Sequence, residues 1–238
     1  MYQTKTYKAI VNLGVASVIG VSLLGAPLSV QAKLSGIEPG VVPKVGGKGG
    51  PGGRSPGGSR IPDCLGENYL YSLSPRDGIT VAMYPTFLVH VPPTKARQAR
   101  FSLKNENNQI IYKADFDLKS NAINSVSLSG NNSPALKIGK RYEWIFSVVC
   151  NAESPDQNPS FNGWITRTEL APSLASQIAQ APFTQRLILY INAGLWYDAL
   201  LTAAELRRTR PDDSTVGNTW SDLLKAVGLK EVAGAPLF

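Results

Sequence analysis

The sequence predicts an α+β protein. An immunoglobulin- or fibronectin III-like β-sandwich is expected over residues 63–168, followed by a small helical module over 169–238. Three observations carry this. Residues 140–151, KRYEWIFSVVCN, alternate: Tyr142, Trp144, Phe146, Val148 and Cys150 fall on one face, Arg141, Glu143, Ile145, Ser147 and Val149 on the other. Such a period of two in β-branched and aromatic residues marks a strand, and its aromatic face should look into a core. About seven short strand candidates, with turns every ten or so residues, occupy the surrounding ~100 residues. After Glu169 the apolar period changes to that of a helix.

The chain opens on residues that do not belong to this fold. Lys5 and Lys8 flank the start of an apolar run over 9–24, and Val30-Gln31-Ala32 offers small residues at a cleavage site. This is the pattern of a secretory signal peptide over 1–32. The run is short for a spanning helix, and Gly14, Gly20, Gly25 and Pro27 punctuate the region, so no stable transmembrane segment is expected after cleavage. The expected location is the periplasm or the extracellular space.

Residues 33–62 contain GGKGGPGGRSPGG and read as a Gly/Pro-rich basic linker, because such a composition buries too little apolar surface to offset ordering entropy. It is not a phosphate-binding loop: Gly47-Lys48 is followed by Gly49, and position 42 is Val. It is not an Arg-Gly-Gly tail, since neither Arg54 nor Arg60 is followed by glycine. The formal charge of the chain is +7. Two of these charges leave with the signal peptide, and Lys33, Lys44, Lys48, Arg54 and Arg60 against Glu38 lie in the linker, so residues 61–238 are almost neutral. No specific nucleic-acid partner is expected of the fold. Weak contact between the linker and an anionic surface is.

Cys64 and Cys150 are the two cysteines. In an exported chain an even count reads as a disulfide. The long loop it closes would make it worth roughly 4–5 kcal/mol before strain. A catalytic thiol would need a base, and the chain has one histidine, His90.

The strands follow in order. Residues 69–73 and 79–83 are short candidates separated by Pro75-Arg76-Asp77-Gly78, read as a turn. Phe87, Val89 and Val91 alternate with Leu88 and His90. Residues 99–104 and 110–116 form a hairpin across the polar run 105–108. A weaker strand covers 123–128, and the last covers 161–167. In the helical part, Pro172 sits in the first turn of a helix over 170–181, and Pro182 ends it. Residues 183–193 are apolar nearly all round and should be buried. Over 196–208, Trp196, Ala199, Leu200, Ala203 and Leu206 make a stripe, with Asp198, Thr202 and Glu205 on the polar side. Trp220, Leu223, Leu224 and Val227 mark a last helix, with Thr219 and Asp222 as a capping box and Gly228 past its end. So short a helical array cannot cover its own apolar surface. It should dock on the sandwich through Trp164, Trp196 and Tyr197, leaving Asp198, Thr202 and Glu205 outward as a candidate binding surface.

Two resemblances emerge. Tyr190, Gly194–Leu200 and Pro211 resemble one tetratricopeptide-like helix pair, without its early Trp-x-x-Leu-Gly pattern. Pro85-Thr86-Phe87 with Val91-Pro92, Gly139–Trp144 with Cys150-Asn151, Gly163-Trp164-Ile165, Gly194–Leu200, Glu205-Leu206-Arg207, and Trp220 with Leu223-Leu224 and Gly228-Leu229 resemble a cyanobacterial family of exported proteins catalogued as domain of unknown function 928. The resemblance implies cyanobacterial origin and an extracytoplasmic site. It implies no activity, cofactor or catalytic residue.

Sites of chemistry are sparse. No His, Cys, Asp or Glu cluster has metal-ligand spacing, so neither metal nor cofactor is expected. His90, between Val89 and Val91, reads as a satisfied or exposed strand residue, and no Gly-x-Ser-x-Gly motif occurs. Asp115 and Asp117 lie in a hairpin arm and read as solvated. Glu143 is either one of a glycosidase's two carboxylates or, more simply, a cross-strand charge. Trp164, Trp196 and Tyr197 make either a carbohydrate platform or, as above, packing. The expectation is a non-enzymatic extracytoplasmic binding or adaptor protein with a protein partner. The alternatives are a carbohydrate-active or other hydrolytic enzyme using carboxylates, and a surface protein held on anionic polymers by its basic tail.

Overall fold

The alternating run forms β7, Arg141–Val148, the middle strand of a five-stranded sheet. Its order is β2 (Asp77–Thr80), β8 (Ser160–Arg167), β7, β4 (Gln98–Lys104), β5 (Ile110–Asp117). All its pairings are antiparallel except β2 with β8. A second sheet has the order β1 (Tyr71–Ser72), β3 (Thr86–Val91), β6 (Ala122–Ser127). Four helices follow: α1 (Pro172–Gln180), α2 (Phe183–Asn192), α3 (Trp196–Thr209) and α4 (Ser214–Ala226). The class is therefore α+β. The structure, a computed structural model, describes residues 64–66, 68–129 and 132–238. The signal peptide expected over 1–32 and the linker expected over 33–62 lie outside the described residues.

β3 explains the layering, because residues on both its faces are buried. Phe87, Val89 and Val91 pack with Phe101, Leu103, Trp144 and Phe146 of the larger sheet into one core. Leu88 points the other way and joins Leu73 and Ile123 against Leu187, Ile191, Trp196, Leu200, Trp220 and Leu223. The helices thus cover the outer face of the smaller sheet, which is why β3 carries almost no polar side chain. The aromatic core is dense: Phe87 lies 4.9 Å from Phe101 and 5.2 Å from Trp144, ring centre to ring centre. Gly163, opposite Trp144 in the register, makes room for the indole; a Cβ there would sit 2.7 Å from it.

The start of α3 locks the layers together. Trp196 and Tyr197 are consecutive, so they diverge around the helix into different cores. The Trp196 indole sits among the helices and its Nε1 donates to the Leu73 carbonyl at 3.0 Å. Tyr197 enters the core between the sheets. Its hydroxyl accepts from Trp144 Nε1 at 2.9 Å and donates to the Pro75 carbonyl at 3.2 Å. Both buried polar tips are satisfied, as buried tyrosine and tryptophan require. Cys64 and Cys150 are joined, Cα to Cα 5.7 Å, across 86 residues of sequence.

Three expectations are corrected. Asp77 and Gly78 are not turn residues; they start β2, whose backbone pairs with Trp164 and Ile165. The strand expected over 69–73 shortens to Tyr71–Ser72. α4 begins at Ser214, before the capping box read at Thr219 and Asp222. Asp213 is the true cap, its side chain accepting from the Thr215 and Val216 amides, while the Thr219 hydroxyl donates inside the helix to the Thr215 carbonyl at 2.9 Å. Gly228 does stand past the helix end at φ +78°.

The last residues, a 3-10 turn at Lys230–Val232 and the segment behind it, return across the smaller sheet. Ile123 donates to Pro236 at 2.8 Å and accepts from Phe238 at 2.9 Å, in a parallel bridge with Leu237. The Arg207 guanidinium lies over the Trp220 ring and donates to the carbonyls of Ala233 and Ala235. Trp220 Nε1 donates to Ala233 at 3.1 Å. This strap makes one wall of the site described next.

Candidate functional site

On the outer face of β3, Leu88 lies under the helices, but two residues further along His90 lies under the C-terminal strap. β1 places Tyr71 opposite His90, ring centres 6.0 Å apart. The 3-10 turn brings Glu231 over both. Together with Asn68, Tyr69, Asn121 and Pro236 they line a cleft of about 440 Å³.

His90 is 8% exposed, and its Nδ1 is buried with no hydrogen-bond partner. Burial holds its pKa below the ordinary imidazole value, while the Glu231 carboxylate acts the other way. The ring is therefore neutral at pH 7. Burial, the charge of Glu231 and a hydrogen bond to that carboxylate raise the pKa of Tyr71. Glu231 is exposed, and among the described residues it has no ion-pair partner. Among the described residues the cleft therefore offers one carboxylate, a neutral imidazole, two phenol rings and two amide side chains, and no lysine or arginine. Sequence reading singled out His90 but took it for a satisfied or exposed strand residue. It is neither. The one local signal was a histidine set between Val89 and Val91 on a strand, two residues after Leu88.

The second buried titratable group is Asp198, in the first turn of α3 and 9% exposed. It was expected to face outward with Thr202 and Glu205; instead it points at the end of β2. Its Oδ1 accepts from Thr80 Oγ1 at 3.1 Å and its Oδ2 from the Val81 amide at 3.3 Å. Burial pushes its pKa up to about 6 against these stabilising bonds. Thr202 is half-buried, its hydroxyl donating to the Asp198 carbonyl at 2.7 Å. Glu205 is exposed. A helical wheel assigns a polar side but not what lies over it, and here β2 lies over it, so the three residues do not form one outward surface.

The tryptophan trio also separates. Trp196 and Tyr197 are 1% and 2% exposed and present no face to a sugar. Trp164 lies on the outward face of β8, with the Arg141 guanidinium 4.5 Å over its ring, and takes no part in the seam between helices and sheets. Glu143 pairs with Lys104 at 3.3 Å and accepts from Asn162 at 2.8 Å, a cross-strand charge. Asp115 is held by both Arg100 nitrogens. A second cleft of equal volume is lined by Lys137, Lys140, Arg141 and Tyr142 among others, where Lys140 is engaged with Glu106 and Arg141 with Asp77. Among the described residues no three His, Cys, Asp or Glu side chains gather as a metal site. No helix among them is long and apolar enough to cross a membrane.

Over residues 55–237 the chain matches a family model described as Domain of Unknown Function (DUF928). The match spans well over half of the chain and reaches beyond both ends of the stretch that carried the sequence resemblance. No curated protein matches the chain.

Proposed function

The chain belongs to the DUF928 family, defined by sequence and not by an activity, and on that premise we propose that it is an exported, non-enzymatic binding protein whose ligand sits in the cleft of Tyr71, His90 and Glu231. One observation carries the reading: His90 Nδ1 is buried beside a cleft without a partner. Leaving a buried polar atom unpaired costs about 1–3 kcal/mol, so such atoms are few, and a site that a ligand completes is one place where they persist.

The hydrolytic alternative finds less support. Retaining and inverting glycosidases need two carboxylates, and the described residues of the cleft supply one. Among the described residues no Ser, Thr or Cys side chain lines it to act as a nucleophile. The adaptor reading is narrowed by Asp198 turning inward, so a protein partner would enter through a side chain placed in the cleft. Export rests on the basic, apolar and small-residue pattern of residues 1–32, and the Cys64–Cys150 bridge suits an oxidising compartment. The basic linker adds a weak hold on anionic surfaces.

The test is a melting screen of the protein against a panel of neutral, cationic and anionic small molecules, in parallel with His90→Phe. A ligand that binds only the native state raises Tm in proportion to its occupancy. At least one compound should raise the Tm of the wild type and leave that of His90→Phe unchanged. No shift from any compound, or equal shifts in both proteins, would contradict the reading.

A further inference from the structure

We propose that the cleft takes a protonated amine, with the Glu231 carboxylate as its counter-ion, the rings of Tyr69 and Tyr71 as its aromatic walls and His90 as its floor. The inference rests on the binding reading above and adds the chemical class of the ligand.

Among the described residues lining the cleft, Glu231 supplies the one carboxylate, and no lysine or arginine is present. An anionic ligand would meet a carboxylate and find no cation. Tyr71 uses its hydroxyl to hold one side of the Glu231 carboxylate, fixing its position and leaving acceptor capacity. An ammonium group carries three donors and a full charge, which matches what remains. The neighbourhood adds aromatic faces. Tyr69 is 38% exposed, and Tyr71 stands beside it in sequence and against His90 in space. Phenol rings attract a cation lying over them, by about 0.5–1 kcal/mol where water is present. Pro92, Pro93 and Pro236 supply apolar walls for the carbon chain of the amine.

His90 completes the logic. Were it charged, it would neutralise Glu231 from within and the cleft would offer no field to a cation. Buried and short of a partner, the ring stays uncharged, and the carboxylate keeps its charge for a ligand. Tyr71 from β1 and Glu231 from the 3-10 turn are the titratable groups that face it. Acidification should reverse the arrangement: a protonated His90 takes Glu231 as its own partner and the amine is released.

The test is calorimetric titration of the full protein at pH 8 with butylammonium, backed by NMR shifts of the Tyr71 and His90 rings. Butanol, glucose and butyrate form the neutral and anionic arms. Nα-acetyl-lysine methylamide presents the same group on a protein side chain. Butylammonium should bind and move both rings, and butyrate should not. Glu231→Gln should weaken the amine about five-fold, the scale of one partly exposed charge pair. At pH 5.5 the wild type should lose affinity while His90→Gln, which cannot titrate, should keep it. Tighter binding of the lysine derivative than of butylammonium would support a protein side chain as the source of the amine, and the reverse a free amine. If butanol, glucose or butyrate moves the rings and butylammonium does not, the amine class is wrong and the cleft remains a binding site. If no probe moves them, both the class and the binding reading fail. Unchanged affinity in Glu231→Gln would place the amine elsewhere and overturn the inference.

Discussion

Asp198 and His90 are both buried and both titratable, and the protein treats them in opposite ways. Asp198 lies in a seam where the end of β2 supplies a hydroxyl and an amide to its carboxylate. His90 lies in a cleft where its Nδ1 receives nothing. Tyr197 has partners in Trp144 and Pro75, Trp196 in Leu73, and Thr202 in the Asp198 carbonyl. The strap over His90 is equally well bonded, through Arg207, Trp220 and Ile123, yet its bonds pass around the imidazole and not to it. A satisfied buried group belongs to the architecture. An unsatisfied one, beside a cleft where the Glu231 carboxylate has no ion-pair partner among the described residues, points outward to a ligand.

The comparison can be broken by variants, the most severe at the seam. Tyr197→Ala empties a site that is 2% exposed and orphans Trp144 Nε1. It should destabilise the protein by about 3–5 kcal/mol in denaturant melts. Reducing the Cys64–Cys150 bridge should lower stability by about 2–4 kcal/mol. Because neither Asp198 nor His90 touches the bridge, the shape of the stability–pH curve should survive reduction.

The curve itself separates the two groups, since their signs differ. Asp198 has a folded pKa of about 6, above its unfolded value of 3.8. The folded state therefore binds the proton first. Stability from this group is fully present below pH 3.8 and is lost as pH rises through 6, by up to about 3 kcal/mol. Tyr190 of α2 is the titratable neighbour, and burial raises its pKa, so it stays neutral over this window. Asp198→Asn should abolish the slope. His90 has its folded pKa below its unfolded value of 6.5. Here the unfolded state protonates first, so the contribution is present above pH 6.5 and lost as pH falls through the folded value. His90→Gln should flatten that second slope, the smallest of these effects, within about 1 kcal/mol of wild type at pH 8.

The fold was legible where its signals are local. Period-two alternation located β3, β4, β5, β7 and β8 within a residue or two, because successive side chains of a strand point to opposite faces. The helical period located α1–α3, but α4 was read six residues late: a Thr-x-x-Asp pattern imitated a cap, and the stronger cap at Asp213 was passed over. The site was not legible. Tyr71, His90 and Glu231 meet only because the chain, after four helices, doubles back over β3. No spacing in the sequence encodes that return. Asp198 was misplaced for a related reason: amphipathicity tells which side of a helix is polar, and tertiary contact decides whether water or a strand end lies against it.

The most direct measurement is the pH titration of the His90 imidazole by NMR, alone and with saturating butylammonium. The account predicts a pKa below 6.5 in the free protein and a further fall with the amine, because a cation on Glu231 opposes a second charge on the ring and linkage is reciprocal. A pKa at or above 6.5 that the amine leaves unmoved would contradict it.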